Sequence, residues 1–233
     1  MQIIPVIDLL GGVVVHAKQG ERQHYLPIQS QLTPSHQPLD IVAALLDVFP
    51  FKQLYIADLD AIQKLGSHYS INYSVIADIQ TRYPTLELWV DAGISNHTEL
   101  HIWQELGVHI VIGSENFASI DNYHALNLPN KHFILSLDFM PNGFQGAIEL
   151  LNNTAHWPHT VILMSLAHVG SNQGANTELL EKTLARAPHF NLYVAGGIRN
   201  ATDLQTLKNK GAKGALIASA LHQKQILKGV LEV

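Results

Sequence analysis

The chain has 233 residues, of which 14% are charged, and it contains no cysteine. A charged fraction below the average of roughly 25% is typical of a domain whose strands are covered on both faces. The absence of cysteine excludes disulfides, thiol catalysis and cysteine-ligated metal sites. A formal net charge of −5 gives no general basic surface for nucleic acid.

The N-terminus lacks the basic region of a secretory signal, and its apolar run is interrupted by Pro5 and Asp8. No stretch approaches the ~20 apolar residues of a membrane span. We therefore expect a soluble cytoplasmic protein with no membrane or nucleic-acid partner. The length fits a single domain over residues 1–233, since α/β barrels take about 250 residues.

Apolar runs and helical patterns alternate along the first half of the chain. The pattern predicts strands at 3–8, 13–15, 54–58, 86–90 and 109–112, and helices at 39–49, 71–83, 96–106 and 120–126. Gly11 and Gly12 separate the first two strands and indicate a turn. Residues 21–38 are polar and contain three prolines, which favours a long loop.

The second half repeats this order of elements. Strands are predicted near 133–137, 161–164, 192–195 and 215–217, with helices at 177–186, 202–210 and in the tail from residue 223. Alternation of strands and helices with short connections is typical of a parallel sheet. We expect the fold class to be α/β, with eight such units closed into a TIM (β/α)8 barrel.

An internal repeat divides the predicted barrel into two halves. Residues 90–96 resemble residues 194–200, and each segment ends a strand and opens a helix. Residues 111–114 resemble residues 216–219 in the same way, and the offsets between the copies are 104 and 105 positions. With the aspartates described next, three paired features occur in one order, which favours two half-barrel repeats.

Asp8 and Asp138 each stand where an apolar, strand-like run ends. An unpaired charge is costly to bury, so each carboxylate must face water, a partner or a ligand. At a barrel mouth the pair predicts acid/base catalysis. The alternative for Asp138 is a structural carboxylate that caps a helix or binds loop backbone. For Asp58 and Asp60 we favour that structural interpretation.

The loops after the last two strands of the barrel predict a phosphate site. Glycines let backbone N–H groups approach phosphate oxygens, and a helix N-terminus adds a favourable dipole. The candidate residues are Gly196, Gly197, Arg199, Ala218 and Ser219. The alternative is that the glycine pair only makes a tight turn. The first-half copy, Gly113 and Ser114, is a weaker phosphate candidate because Asp91 and Glu115 are anions beside it.

The chain has 14 histidines, and four of them are considered as candidate functional residues. His97 and His101 have a metal-like spacing, but their helix should cover the outside of the barrel without a third ligand. We expect no metal and no cofactor. His168 lies in a loop at the active face, where an imidazole can transfer protons near neutral pH, so it is a catalytic candidate. His16 is a weaker one.

The motifs resemble those of the HisA/HisF family, the barrels that include the ProFAR isomerase of histidine biosynthesis and its cyclase sister. The matching segments run in family order through the chain: 4–9, Gly12, 14–15, 19–20, 58–60, 111–114, 137–138, 170–171, 173–174, Asn176, 196–198 and 220–221. The resemblance implies the same barrel and an Amadori rearrangement of an aminoaldose to an aminoketose. It places the catalytic base of that reaction at Asp8.

Other family positions are changed. The residue aligned with the isomerase's general acid is Val169, which cannot transfer a proton, within residues 168–171. The family's Thr-Asp pair aligns with residues 164–165, and its glycine-rich turn aligns with residues 91–93. A family arginine aligns with Ser95, a basic residue aligns with His16, and a glycine aligns with Ala218. The cyclase uses carboxylates matching Asp8 and Asp138, but its lysine also aligns with His16.

These departures leave three hypotheses. The favoured one is a divergent enzyme acting on a small phosphorylated, phosphoribosyl-type metabolite by carboxylate acid/base chemistry. The departures resemble those of divergent family members associated with C1-carrier cofactor pathways, and this resemblance implies a role in C1-carrier cofactor biosynthesis. The second is an authentic ProFAR isomerase with rearranged residues. The third is a non-catalytic metabolite-binding or scaffold protein. The pattern makes no prediction of oligomeric state.

Overall fold

A closed barrel of eight parallel strands forms the centre of the molecule. The computed structural model describes residues 1–65, 71–128, 133–169, 174–226 and 228–231. The barrel strands are β1 (Gln2–Leu10), β3 (Gln53–Asp58), β4 (Glu87–Asp91), β5 (His109–Gly113), β6 (Ile134–Met140), β8 (Thr160–Ser165), β9 (Asn191–Ala195) and β10 (Gly214–Ile217). Parallel pairing of β1 with β10 closes the sheet. The predicted TIM (β/α)8 barrel is therefore confirmed.

Two short antiparallel strands extend the barrel at equivalent places in its two halves. The strand β2 (Val13–Val15) folds back on β1, and β7 (Gly143–Gln145) folds back on β6. In these hairpins Asp8 stands opposite Val15, and Asp138 stands opposite Gln145. The two carboxylates thus occupy the same position in two copies of one hairpin, which extends the repeat seen in the sequence.

Helices connect the strands around the outside of the barrel. They are α1 (Pro38–Val48), α2 (Leu59–Ile62), α3 (Ile71–Arg82), α4 (His97–Glu105), α5 (Ile120–Ala125), α6 (Ile148–Asn152), α7 (Thr177–Arg186), α8 (Ala201–Asn209), α9 (Ser219–His222) and α10 (Lys228–Leu231). Asn96 and Asn200, which end the two copies of the repeated turn, cap α4 and α8 by accepting from backbone N–H groups. No helix in the described ranges is both long and apolar enough for a membrane span.

Several short elements lie outside the sequence prediction. The single-turn helices α2 and α9, the strand β7 and the helix α6 are each five residues or fewer. Elements this short show too little of a hydrophobic period to be recognised. The predicted tail helix does not begin at Gln223, because this residue follows the end of α9 at His222 and α10 begins at Lys228.

Apolar side chains fill two layers, one inside the barrel and one between the barrel and its helices. The inner layer includes Ile4, Tyr55, Trp89, Val111, Ile134, Ile162, Tyr193 and Leu216. The rings of Trp89 and Tyr193 meet edge to face with centroids 5.1 Å apart. Because the strands are covered on both faces, the chain needs few charged residues, which accounts for its composition.

Candidate active site

A cavity of about 230 Å³ opens where the barrel strands reach their carboxyl ends. In TIM barrels this is the face that carries active sites. The charged and hydroxyl-bearing side chains that line the cavity include Asp8, His16, Arg22, Tyr25, Tyr55, Asp91, Glu115, Asp138, Arg199 and Ser219. The fold therefore brings both predicted catalytic aspartates and the second-half glycine loop to one space.

Asp8 lies near the end of β1 and faces this cavity. Burial raises the pKa of its carboxyl from 3.8 to about 7, although the positive charge of Arg22 lowers it in part. Tyr25 also lines the cavity, and burial together with the charge of Asp8 raises the pKa of its phenol to about 12. Asp8 therefore exchanges its proton near neutral pH, as a catalytic base requires.

Asp138 is more deeply buried than Asp8, with 4% of its surface exposed. Its carboxyl accepts hydrogen bonds from the Ser136 hydroxyl (2.6 Å) and the Glu115 backbone N–H (3.2 Å), and its Oδ2 lies 3.3 Å from the Ser114 hydroxyl oxygen. Burial, followed by the negative charges of Glu115 and Asp91, raises its pKa to about 8. A carboxyl in this state holds a proton at neutral pH and can act as an acid.

Asp91 places a third carboxylate beside Asp138. It accepts from the Gly93 backbone N–H (3.1 Å) and the Tyr55 hydroxyl (3.3 Å), and burial raises its pKa to about 6. A Cβ added at Gly113 would lie 3.2 Å from Asp138 Oδ2 and 3.4 Å from Asp91 Oδ2. The two carboxylates thus converge on Gly113, where a larger residue would crowd both.

Arg22 provides the positive charge that faces this acidic group. It lies in a single 3-10 turn in the long loop after β2, and its guanidinium contacts Glu115 at 2.5 Å. Burial acts to lower the pKa of Arg22, but the charge and hydrogen bond of Glu115 outweigh it, so the pKa is raised. Sequence reasoning missed Arg22 and Tyr55, because neither belongs to a repeated motif.

The second-half loop contains two glycines in left-handed conformations, Gly196 with φ +98° and Gly197 with φ +79°. A Cβ at Gly197 would lie 2.2 Å from the Gly174 carbonyl oxygen, so the close approach of these two backbone segments requires glycine at position 197. Both glycines line the cavity together with Ala218 and Ser219. We call these four residues the phosphate corner. His16 lies beside it, with Nε2 3.3 Å from the Ser219 hydroxyl.

Arg199 also lines the cavity, but its guanidinium is held by Asp203 one helical turn later. Its Nε and one terminal nitrogen each donate to that carboxylate at 2.9 Å. This bidentate pair orients Arg199 and offsets its charge. Arg199 thus stands at the edge of the predicted phosphate corner with part of its donor capacity already used.

Gly113 and Ser114, the first-half phosphate candidates, are not among the residues that line the cavity. Ser114 is fully buried, and its hydroxyl donates to the Gln145 carbonyl (2.7 Å) and accepts from the Asp138 backbone N–H (2.9 Å). In the structure Ser114 therefore supports Asp138 and the β6–β7 hairpin.

His168 and Val169 follow β8 at the same face of the barrel. Val169 lines the cavity, whereas His168 is not among its lining residues and packs with its Cβ beside Gly197. Residues 170 and 171, the rest of that aligned segment, lie outside the described residues. The catalytic role of His168 stays a prediction, and its position flanks the phosphate corner.

The remaining candidates lie away from the cavity. Asp58 caps α2 through the Ala61 N–H (3.1 Å), and Asp60 accepts from the Gly11 N–H (2.7 Å), in agreement with structural roles. His97 and His101 are exposed on α4. Within the described ranges, no group of three or more His, Cys, Asp or Glu side chains is placed to hold a metal ion.

Comparison with known proteins gives a match over nearly the whole chain. A family model described as histidine biosynthesis protein matches residues 2–227. An uncharacterized protein of Methanocaldococcus jannaschii is 29% identical and covers 100% of this chain and 96% of its own length. An enzyme of Thioalkalivibrio sulfidiphilus named 1-(5-phosphoribosyl)-5-((5-phosphoribosylamino)methylideneamino)imidazole-4-carboxamide isomerase is 26% identical over 97% of this chain and 96% of its own. A Lactiplantibacillus plantarum protein of the same name is 28% identical over 94% and 93%.

Proposed function

Because this chain belongs to the histidine biosynthesis family of barrels, we propose that it is an enzyme of that family with a divergent reaction. Its substrate is a small phosphorylated, phosphoribosyl-type metabolite, and its chemistry is proton transfer by carboxyl groups in the cytoplasm. The observation that carries this proposal is the shared cavity of Asp8, Asp138 and the Gly196–Gly197 loop.

The two carboxyl groups take different roles because their surroundings differ. Burial raises the pKa of Asp8 to about 7 and that of Asp138 to about 8, so Asp8 is the more readily ionised of the two near neutral pH. Asp8 then acts as the base that removes a carbon-bound proton, and Asp138 acts as the acid that protonates an oxygen. Pairs of groups with separated pKa values are typical of this division of labour.

The phosphate of the substrate binds at the second-half corner. The glycine backbone at Gly196 and Gly197 leaves room for the oxygens, and the Ser219 hydroxyl and His16 ring provide side-chain contacts. Because α9 has only four residues, its dipole adds little, and we assign the binding mainly to N–H and hydroxyl donors. Phosphate binding here orients the reacting carbon toward the two carboxyls.

The family's isomerase reaction is the second candidate, and the names of two relatives favour it. Against it stands Val169, an apolar side chain that lines the cavity at the position aligned with the isomerase's acid. Asp138 supplies an acid elsewhere in the same cavity, which suits a different reaction. We therefore propose a relative of the isomerases that catalyses a different reaction, in the biosynthesis of a C1-carrier cofactor.

Genetic complementation tests this proposal. The chain is expressed in a histidine auxotroph that lacks the isomerase, beside a true isomerase and an empty vector. We expect no growth without histidine, and growth equal to that of the true isomerase would show that the parent reaction survives. In the native organism Asp8→Asn should abolish the cellular function, with the exposed Asp121→Asn as control. Full function in Asp8→Asn cells would favour the non-catalytic alternative.

A further inference from the structure

The two ends of the cavity come from equivalent loops, yet they offer opposite chemistry to an anion. We infer that the substrate carries a single phosphate, bound at the second-half corner, and that Asp91 and Glu115 exclude a second phosphate from the first-half end. This inference rests on the proposed function and narrows its substrate class. Two observations support it. Carboxylates already accept hydrogen bonds from backbone N–H groups at the first-half end, and Asp91 and Glu115 stand there in place of alanines found in the second half.

The internal repeat identifies the residues that differ. At the offsets of the repeat, Asp91 corresponds to Ala195 and Glu115 corresponds to Ala220. Asp91 is the last residue of β4 as Ala195 is of β9, and all four side chains line the cavity. The first half therefore has carboxylates at the two positions where the second half has alanines.

The first-half loops already use their backbone donors on their own carboxylates. The Gly93 N–H donates to Asp91 (3.1 Å), and the Glu115 N–H donates to Asp138 (3.2 Å). Among the described residues of the second half, no carboxylate accepts from the corresponding N–H groups of Gly197 and Ala220. A phosphate at the first-half end would therefore meet N–H groups that are occupied, and it would have to displace a carboxylate from each.

The charge at this end opposes a phosphate as well. Asp91 and Glu115 carry this charge: burial, and after it the charge of Glu115, raises the pKa of Asp91, whereas Asp138 beside them holds a proton at neutral pH in the proposed function. Arg22 faces them, but its guanidinium is committed to Glu115 at 2.5 Å. A phosphate dianion would add negative charge to a buried acidic group whose counter-ion is taken, in a region of low dielectric.

This arrangement separates the chain from its named relatives. The name of the isomerase from Thioalkalivibrio sulfidiphilus contains two phosphoribosyl groups, so the compound that it names carries two phosphates. A site with one phosphate corner and one acidic end does not accommodate such a molecule in full. The end of the substrate that faces Asp91 instead carries a neutral or hydrogen-bond-donating group.

Titration with inorganic phosphate tests this inference. Isothermal titration calorimetry near neutral pH, in a buffer free of phosphate, gives the number of sites on the full chain, and a crystal soaked in phosphate locates them. We expect one site in the unmodified protein, at Gly197 and Ser219. We expect two in Asp91→Ala/Glu115→Ala, because this pair of changes copies the second half, frees the Gly93 N–H and releases Arg22.

A matched control separates local from overall charge. The double variant Glu105→Ala/Asp121→Ala removes two exposed carboxylates of the same half-barrel and should keep one site. Retention of the second-half site reports that each variant is folded. Two sites in the unmodified protein, one site in Asp91→Ala/Glu115→Ala, or two in the control would each overturn the inference while leaving the proposed function in place. Absence of any site in the unmodified protein would overturn the proposed phosphate corner as well.

Discussion

Replacing Asp138 by asparagine should change how the stability of the protein depends on pH. Asparagine has the shape of the protonated carboxyl but does not ionise. Asp138 has a pKa of about 8 in the folded chain and an ordinary value of 3.8 when unfolded. Between these values the folded protein holds a proton that the unfolded chain releases. This raised pKa therefore lowers the free energy of unfolding as the pH rises.

The size of the effect follows from the two pKa values. Each pH unit between them costs the native protein about 1.4 kcal/mol for this one group. From pH 5 to pH 7 the unmodified protein should lose roughly 3 kcal/mol that Asp138→Asn retains. The stability of Asp138→Asn relative to the unmodified protein should therefore increase as the pH rises from 5 to 7. Asp138 holds its proton over this range and asparagine is neutral at every pH, so Asp8 and Asp91 meet nearly the same charge in both proteins and their contributions nearly cancel.

Urea unfolding followed by circular dichroism at pH 5, 6 and 7 measures this difference. The exposed Asp121→Asn variant serves as control, because it removes one carboxylate from the surface and leaves the cavity unchanged. A constant difference between Asp138→Asn and the unmodified protein over this range would refute the reasoning. It would show that Asp138 is ionised in the folded state and is not an acid at neutral pH.

Three further predictions concern the same cavity. Carbon-13 NMR of labelled aspartate should show carboxyls that titrate near pH 7 and pH 8 for Asp8 and Asp138, and titration of both below pH 5 would contradict the proposed roles. Arg22→Met should raise the pKa of Asp8 further, since the charge of Arg22 lowers it, and an unchanged pKa of Asp8 would argue against this coupling. The same change should destabilise the fold by about 2 kcal/mol, because it leaves Glu115 without its ion-pair partner. Gly197→Ala should cost roughly 3 kcal/mol and abolish phosphate binding, because its Cβ would meet a carbonyl oxygen at 2.2 Å. The matched Gly143→Ala has a positive φ but open space, so it should cost only about 1 kcal/mol, and equal losses would assign the effect to backbone conformation alone.

The barrel and the location of its mouth could be predicted from the sequence because they depend on repeated, local patterns. The buried strands read as continuous apolar runs, and the paired turns around Gly93 and Gly197 mark where strands become helices. Asp8 and Asp138 stand out for the same reason, since each is a charge at the end of an apolar run. Periodicity and repetition are properties of the chain itself and need no knowledge of distant contacts.

The pairing of charges across the cavity could not be predicted in this way. Arg22 and Glu115 are separated by 93 positions and lie in loops without a period. The hydroxyl of Ser114 also illustrates the limit, because the sequence makes it a phosphate candidate but does not reveal its hydrogen bond to the Gln145 carbonyl in the β6–β7 hairpin. Contacts of this kind depend on side-chain directions in three dimensions, which sequence spacing does not contain.

The loop that carries Arg22 is also a structural difference between the two halves of the barrel. Residues 16–37 connect β2 to α1, whereas only residues 146 and 147 connect β7 to α6 in the other half. The cation that offsets Glu115 thus comes from a segment that the second half lacks. Without this segment Glu115, which is half-buried at the mouth of the cavity, would lose the guanidinium that it contacts at 2.5 Å. Grafting residues 16–37 would therefore be a prerequisite for moving the acidic end to the other half.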